Sequence, residues 1–117
     1  MQLKYIHPNE LKQIWGQIKP SLEEISKLGG DWIVEDAYCD LRVGKANLYL
    51  GILDGYFIGY IITQHIGHAL HVWAAYSQSH NILQEGLVEI KKLAHEANVD
   101  EITFTSYRKG FAKIAPQ

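Results

Sequence analysis

The chain has 117 residues, of which 47% are hydrophobic and 21% charged, a composition typical of one globular domain spanning residues 1–117. The net charge of −2, without a long basic or acidic block, argues against nucleic acid or an anionic lipid surface as a partner. No apolar run approaches the roughly 20 residues that a membrane-spanning helix needs. The single cysteine, Cys39, cannot form a disulfide within the chain, and we expect a cytoplasmic protein.

The N-terminal part of the chain predicts a short strand at residues 3–6, followed by helices. Apolar residues recur at helical spacing, first at Leu11, Ile14, Trp15 and Ile18, and later at Trp32, Val34, Tyr38 and Leu41. Pro20 should end the first helix, and Ser21 with Glu24 has the form of a capping box that opens a second, short one. Asp31 is suited to cap the next helix, which Gly44 should end.

After Gly44 the hydrophobic pattern changes to a period of two, which indicates strands. Leu48, Leu50 and Ile52 alternate with Asn47, Tyr49 and Gly51. Asp54-Gly55 follows at once and predicts a tight hairpin turn, because both central residues of a type I′ turn need a positive φ. The return strand, residues 56–64, is apolar on both faces and should be central in the sheet. Gly59 within it predicts a bulge or a close approach by another group.

Residues 68–106 are typical of a βαβ unit. They divide into a strand at 68–76, a loop at 77–80, a long helix at 81–97 and a second strand at 99–106. The two strands should lie parallel, and the first should carry Leu70, Val72 and Ala74 on one face. The loop points backbone N–H groups at the space above the helix N-terminus, which suits an anion such as a phosphate.

These elements predict an α/β (α+β) fold in the order β-α-α-β-β-β-α-β-α, a mixed, mainly antiparallel sheet flanked by helices. The order is similar to that of the GNAT superfamily of N-acyltransferases, and residues 102–113 (ITFTSYRKGFAK) resemble a closing segment of small GNAT-like bacteriophage proteins. The resemblance implies acetyl-CoA or another acyl-CoA as cosubstrate, in a gap between the fourth and fifth strands. By position it assigns Trp73, Ala74, Ala75 and Tyr76 to the pantetheine and Gln78, Ser79, His80 and Asn81 to the pyrophosphate.

Three features depart from the GNAT pattern. Counted from Gln78, the glycine positions of the family's phosphate loop hold Asn81 and Leu83, and leucine adopts a glycine-like backbone only at a cost. The family's thiolate-protonating tyrosine falls near Ile114, so Tyr107 is either a substitute acid or a ring packed on a neighbouring phenylalanine. The sequence ends before the family's last pair of strands, which predicts a fold shortened at the C-terminus or an edge completed by a partner subunit.

Three histidines, His65, His68 and His71, lie close together in the sequence. We expect no metal site there, because no cysteine or carboxylate completes a ligand set. His71 is either a general base, neutral near pH 7, or a partly exposed strand histidine.

Two functional hypotheses follow from the sequence. The first is an acyl-CoA-dependent N-acyltransferase that moves an acetyl or other acyl group to a primary amine of a small molecule or a protein. The alternative is a catalytically degenerate GNAT-fold phage protein, a binding or assembly module of the host cytoplasm. In that case the open sheet edge is available to another chain, including a second copy in a homodimer.

Overall fold

A mixed sheet lies at the centre of the structure, a computed structural model that describes residues 2–28, 32–77 and 80–104, with residues 80–85 and Phe104 described by backbone alone. Its five strands within the described residues are β1 (Gln2–Ile6), β2 (Asn47–Leu53), β3 (Tyr56–Ile66), β4 (Ala69–Ser77) and β5 (Glu101–Phe104). The helices are a 3₁₀ turn (Pro8–Glu10), α1 (Leu11–Ser26), α2 (Val34–Val43) and α3 (His80–Glu96).

The strands lie in chain order, with antiparallel pairing from β1 through β4 and parallel pairing between β4 and β5. The predicted fold class, a mainly antiparallel sheet flanked by helices, is confirmed, and so is the parallel βαβ unit. The predicted closing helix and shortened C-terminus concern residues after Phe104, which lie outside the described residues.

Strand β3 is buried on both faces, as predicted, because helices cover both sides of the sheet. Tyr60 and Ile62 belong to the core formed with α1 and α2, whereas Ile61 belongs to a second core formed with Ile90 and Ala94 of α3. Successive residues of β3 thus supply opposite cores, which fixes the register of the central strand.

Helix α1 runs through Pro20, so the predictions of a break there and of a capping box at Ser21 are both wrong. Ile18 and Leu22 are fully buried on either side of Pro20, and their packing outweighs the lost helical hydrogen bond. Pro20 has no N–H, so it leaves the Gly16 carbonyl without a helical donor. Both residues lie on the exposed side of the helix, where water can solvate that carbonyl. Ser21 Oγ instead donates to the Ile18 carbonyl at 3.1 Å, within the helix.

Helix α2 starts at Val34, after Ile33, and not directly after Asp31 as predicted. The Ile33 N–H donates to Asp36 Oδ2 at 3.0 Å, so a carboxylate in the first turn satisfies a backbone donor beside the helix N-terminus. Trp32 therefore precedes the helix. At the other end Gly44 adopts φ = 84°, and the prediction that it ends this helix is confirmed.

The turn at Asp54-Gly55 has φ of 52° and 83° at its two residues, which confirms the predicted hairpin. Gly59, in the return strand, is required by a close approach of β4. A Cβ there would overlap the Tyr76 carbonyl oxygen and would lie 3.1 Å from Ser77 Cα. The backbone of β4 can therefore pack this closely only against glycine.

Helix α3 covers the other face of the sheet. Ile90 and Ala94 are buried, and Asn98 has a positive φ of 57°, as expected for a residue that ends a helix. The predicted helix extended to residue 97, whereas α3 ends at Glu96 and Ala97 is exposed. None of the described helices is both long enough and apolar enough to cross a membrane.

We expect Gly59→Ala to lower the free energy of unfolding by about 1–3 kcal/mol, because the new methyl group forces two strand backbones apart. The matched control is Gly16→Ala, at an exposed helical position with nothing within 4 Å, which should be neutral or stabilising by up to about 1 kcal/mol. Urea unfolding measures both. Equal stability of the two variants would contradict the close approach.

Candidate functional site

A β-bulge at Trp73 is the defining feature of β4. Ile62 pairs with Ala74 and the next residue of β3, Thr63, pairs with Val72, so no residue of β3 is paired with Trp73. A bulge takes one residue out of the ladder, bends the strand and redirects its side chains. The parallel ladder with β5 is described up to the pair of Val72 and Phe104, immediately before this bulge.

The bulge also reverses the side-chain alternation of β4. Leu70 and Val72 lie in the core beneath α3, but Ala74 lies in the core beneath α1 and α2. The prediction that Leu70, Val72 and Ala74 share one face is therefore wrong. Side chains alternate regularly between the two faces only where each residue of one strand pairs with one residue of the next. The extra residue Trp73 interrupts this one-to-one pairing.

The four β4 residues assigned to the pantetheine differ in how much side chain they expose. Ala74 and Ala75 are buried in opposite cores, which leaves their backbone rather than their side chains for contact with another molecule. Trp73 and Tyr76 are partly buried and pack on the core beneath α1 and α2. Small residues at the two central positions therefore let the helices approach this part of β4 from both sides.

Tyr76 is held from the helical layer through Tyr60. The two rings stack with centroids 5.7 Å apart and an interplanar angle of 26°. The Tyr60 hydroxyl, on a side chain only 2% exposed, lies 2.8 Å from Ser21 Oγ on α1. This chain of contacts ties the end of β4 to the middle of α1.

His71 lies two residues before the bulge, and Nδ1 of its imidazole is 2.6 Å from Thr103 Oγ1 of β5. Burial lowers the pKa of His71 from its ordinary value of 6.5, so the ring is neutral near pH 7. A neutral imidazole held by a hydroxyl is oriented and able to accept a proton. The structure thus gives His71 the partner that a positioned base needs.

Trp32 and Trp73 form an aromatic pair beside the bulge. Their ring centroids are 5.1 Å apart at an interplanar angle of 60°, an edge-to-face arrangement. Trp32 Nε1 is buried and has no hydrogen-bond partner among the described residues. A buried N–H without an acceptor is uncommon, and it makes Trp32 a candidate donor to a bound molecule.

The residues assigned to the pyrophosphate lie where β4 leads into α3. His80 and Asn81 form the first turn of α3, whose backbone N–H groups have no helical acceptors. Gln78 and Ser79 lie outside the described residues, as does Tyr107, the candidate acid. The side chain of Leu83, at a glycine position of the family's loop, also lies outside the description.

Among the described residues, no three His, Cys, Asp or Glu side chains are grouped so as to hold a metal ion. His65 and His68 are exposed, one at the end of β3 and the other in the turn that follows. Only His71 of the three is brought to the bulge.

No protein-family model and no curated protein sequence matches the chain. Solved structures do. A ribosomal-protein-alanine N-acetyltransferase from Brucella melitensis biovar Abortus 2308 superposes with a TM-score of 0.70 at 15% identity, over 100% of this chain and 93% of that one. A predicted acetyltransferase from Clostridium acetobutylicum, solved with acetyl-CoA, gives a TM-score of 0.68 at 11% identity, over 99% and 89% of the two chains.

An aminoglycoside acetyltransferase from an uncultured soil metagenomic sample, in complex with sisomicin, gives a TM-score of 0.69 at 13% identity, over 98% of this chain and 87% of that one. The chain has the GNAT fold. At these identities the likeness concerns the fold, and an activity has to be argued from the site.

Reasoning from the sequence missed two residues of the candidate site. Trp32 was predicted to lie within a helix as core, and only the late start of α2 places it beside Trp73. Thr103 lies 32 residues after His71, and its contact depends on the register of the parallel ladder, in which the two residues are partners. The predicted βαβ unit alone could have suggested that cross-strand pair.

We expect the stability of the protein to fall as the pH drops below about 6.5, with His71 as one cause. The folded pKa of His71 is lowered, so the unfolded chain takes up its proton first and is stabilised first. Well above pH 6.5, the His71 imidazole is neutral in both the folded and the unfolded state, and its contribution to stability is fully present.

His71→Gln should therefore flatten the loss of stability between about pH 8 and about pH 5.5, measured by urea unfolding. His65→Gln, at an exposed position of β3, is the control and should keep the wild-type pH dependence. A His71→Gln variant that loses stability as steeply as the wild type would contradict the assignment.

Proposed function

We propose that the protein is an N-acetyltransferase that transfers the acetyl group of acetyl-CoA, or another acyl group from acyl-CoA, to a primary amine. The observation that carries the proposal is the bulge at Trp73, in a strand that leads directly into the helix N-terminus at His80. Within the GNAT fold this arrangement offers unpaired strand backbone to a thioester and helix N–H groups to a phosphate.

In this proposal the backbone of 73–76 contacts the pantetheine, and the start of α3 at His80 and Asn81 binds the pyrophosphate together with Gln78 and Ser79. Asn81 lies in the first turn of α3, where a phosphate would contact backbone N–H groups and needs no glycine-like backbone. Two solved neighbours, at 15% and 11% identity, support the fold of such a site. The second of them was solved with acetyl-CoA, which supports the choice of cosubstrate.

The reaction is direct attack of the amine nitrogen on the thioester carbonyl. Backbone N–H groups at the bulge stabilise the negative charge on the carbonyl oxygen, and His71 accepts the proton released by the amine. The sulfur leaves as a thiolate, which Tyr107 protonates to give the free thiol. The lowered pKa of His71 supports its role, because the base must be neutral at the working pH.

The acceptor is a primary amine carried by a small molecule or by a protein. The neighbours include an aminoglycoside acetyltransferase and a ribosomal-protein-alanine N-acetyltransferase, one for each class. Trp32 and Trp73 would contact the body of the acceptor, and the unpaired indole N–H of Trp32 favours a group that accepts a hydrogen bond.

The exposed thiol of Cys39 favours a reducing cytoplasm, with the chain acting as a single domain.

The alternative of a degenerate phage-encoded binding module is not favoured by the comparisons, whose matches include several acetyltransferases. The phage resemblance depends on residues 102–113, most of which lie outside the described residues. It stays a prediction about origin, separate from the activity.

Calorimetry and thermal unfolding with acetyl-CoA test the first step. We expect saturable binding and a rise in Tm that grows with the ligand concentration, because a ligand of the folded state stabilises it. Absence of both at millimolar acetyl-CoA would contradict the proposal and would favour the binding-module alternative.

Transfer to an amine library, followed by release of free thiol, tests the second step. His71→Gln and Tyr107→Phe should each lower kcat by about 100-fold or more while acetyl-CoA binding is kept, because each removes a proton-transfer group. His65→Gln, an exposed histidine away from the bulge, should leave kcat unchanged. Unchanged kcat in both active-site variants would remove these residues from the mechanism.

A further inference from the structure

A row of polar side chains crosses three strands just before the bulge. Gln64 of β3 pairs with His71 of β4, and His71 in turn pairs with Thr103 of β5. Residues that are paired across neighbouring strands carry their side chains on the same face of the sheet. These three side chains, the polar row, therefore lie next to one another, with His71 in the middle.

The polar row lies on the face of the sheet that α1 and α2 cover. Ile62, two residues before Gln64 on β3, is buried in the core formed with these helices, so Gln64 shares its face. Val72, next to His71 on β4, is buried in the other core, beneath α3, so His71 points away from it. Gln64 and His71 thus lie on the same face as the core on which Trp73 packs.

The polar row marks the point where the core beneath α1 and α2 ends. Gln64, His71 and Thr103 are only partly buried, whereas Ile62 and Ala74 on the same face are buried. A molecule in solution can therefore approach the sheet at the row. Among the described residues the carboxamide of Gln64 has no hydrogen-bond partner, so its donor and its acceptor are left to solvent or to a ligand.

The contact with Thr103 directs the imidazole of His71. Nδ1 lies 2.6 Å from Thr103 Oγ1, on the side of β5. Nδ1 and the edge formed by Cδ2 and Nε2 are on opposite sides of the ring, so Nε2 lies on the side of β3 and Gln64. For Nε2 to accept a proton, Nδ1 must carry the ring hydrogen and donate it to Thr103 Oγ1. A nitrogen atom bound at the row can therefore meet His71 Nε2 and the Gln64 carboxamide together.

We propose that Gln64 binds the acceptor amine beside His71 and selects primary over secondary amines. This role of Gln64 rests on the proposed N-acyltransferase function and specifies its substrate. A neutral primary amine directs one N–H at His71 Nε2 and donates the other to Gln64 Oε1, which turns its lone pair to the thioester carbon. As the C–N bond forms and the C–S bond breaks, the first proton passes to Nε2. The second proton stays on the nitrogen of the amide product.

The number of N–H bonds is what separates the two classes of amine. A neutral secondary amine has one N–H, and the reaction itself removes that proton. The transition state then leaves Gln64 Oε1 without a donor. A site that supplies a hydrogen-bonding group discriminates against a molecule that lacks the matching group.

Acetyl transfer from acetyl-CoA to two matched acceptors tests the role of Gln64. The acceptors are the primary amine of a library that the wild type acetylates fastest and the N-methyl derivative of that amine. We expect the wild type to favour the primary amine by at least about tenfold in kcat/KM. Gln64→Met, of similar length but without a hydrogen-bonding group, should reduce this preference by at least about fivefold, mainly by slowing the primary amine. Gln64→Glu keeps an acceptor oxygen and should keep the preference.

Thr63→Val is the matched control. Thr63 is adjacent to Gln64 on β3, but it is fully buried and pairs with Val72 in the core beneath α3. Its substitution removes a hydroxyl from the other face of the same strand and should leave the preference unchanged. Binding of acetyl-CoA by each variant confirms that it is folded.

The possible failures have different signatures. Absence of transfer to any amine by the wild type overturns the proposed function, and the role of Gln64 with it. Transfer by the wild type that is as efficient with the N-methyl derivative overturns the role of Gln64 alone. A preference that survives in Gln64→Met, or that falls equally in Thr63→Val, does the same.

Discussion

One extra residue in β4 governs the arrangement of this protein. Because side chains alternate along a strand, the insertion of Trp73 opposite the Ile62–Thr63 step sends Val72 to one core and Ala74 to the other. The same insertion removes Trp73 from pairing with β3. A strand that serves both cores and carries unpaired backbone at its centre can support the sheet and still present polar groups to a ligand.

Contacts from distant segments hold β4 in this bent path. Thr103 of β5 contacts the His71 imidazole before the bulge, and the Ser21–Tyr60 hydroxyl contact of α1 and β3 leads to Tyr76 after it. Gly59 lets the end of β4 approach β3 more closely than any side chain allows. The bulge is thus fixed from both ends, which favours a preorganised site over one that forms only when a ligand binds.

The helical layer has two faces with different roles. The inner faces of α1 and α2 contribute fully buried residues such as Ile18, Leu22 and Ala37, and this packing keeps α1 helical through Pro20. The outer face carries the edge-to-face pair of Trp15 and Tyr38, which is partly buried and packs against the same core, beside exposed charged side chains such as Lys12.

The sequence by itself determined the elements whose signals are local. The chemistry of a few neighbouring residues is enough to predict the two-residue period of β2, the Asp54-Gly55 turn, the end of α2 at Gly44 and the βαβ order. It also singled out His71 through the chemistry of a neutral imidazole and the segment 73–76 through the resemblance to the GNAT superfamily, and both assignments stay predictions. Only the tertiary structure decided that α1 continues through Pro20, that β4 changes face at Trp73, and that Trp32 and Thr103 meet the site. These outcomes depend on burial against residues far away in the chain, and no local pattern encodes which distant surface a residue will contact.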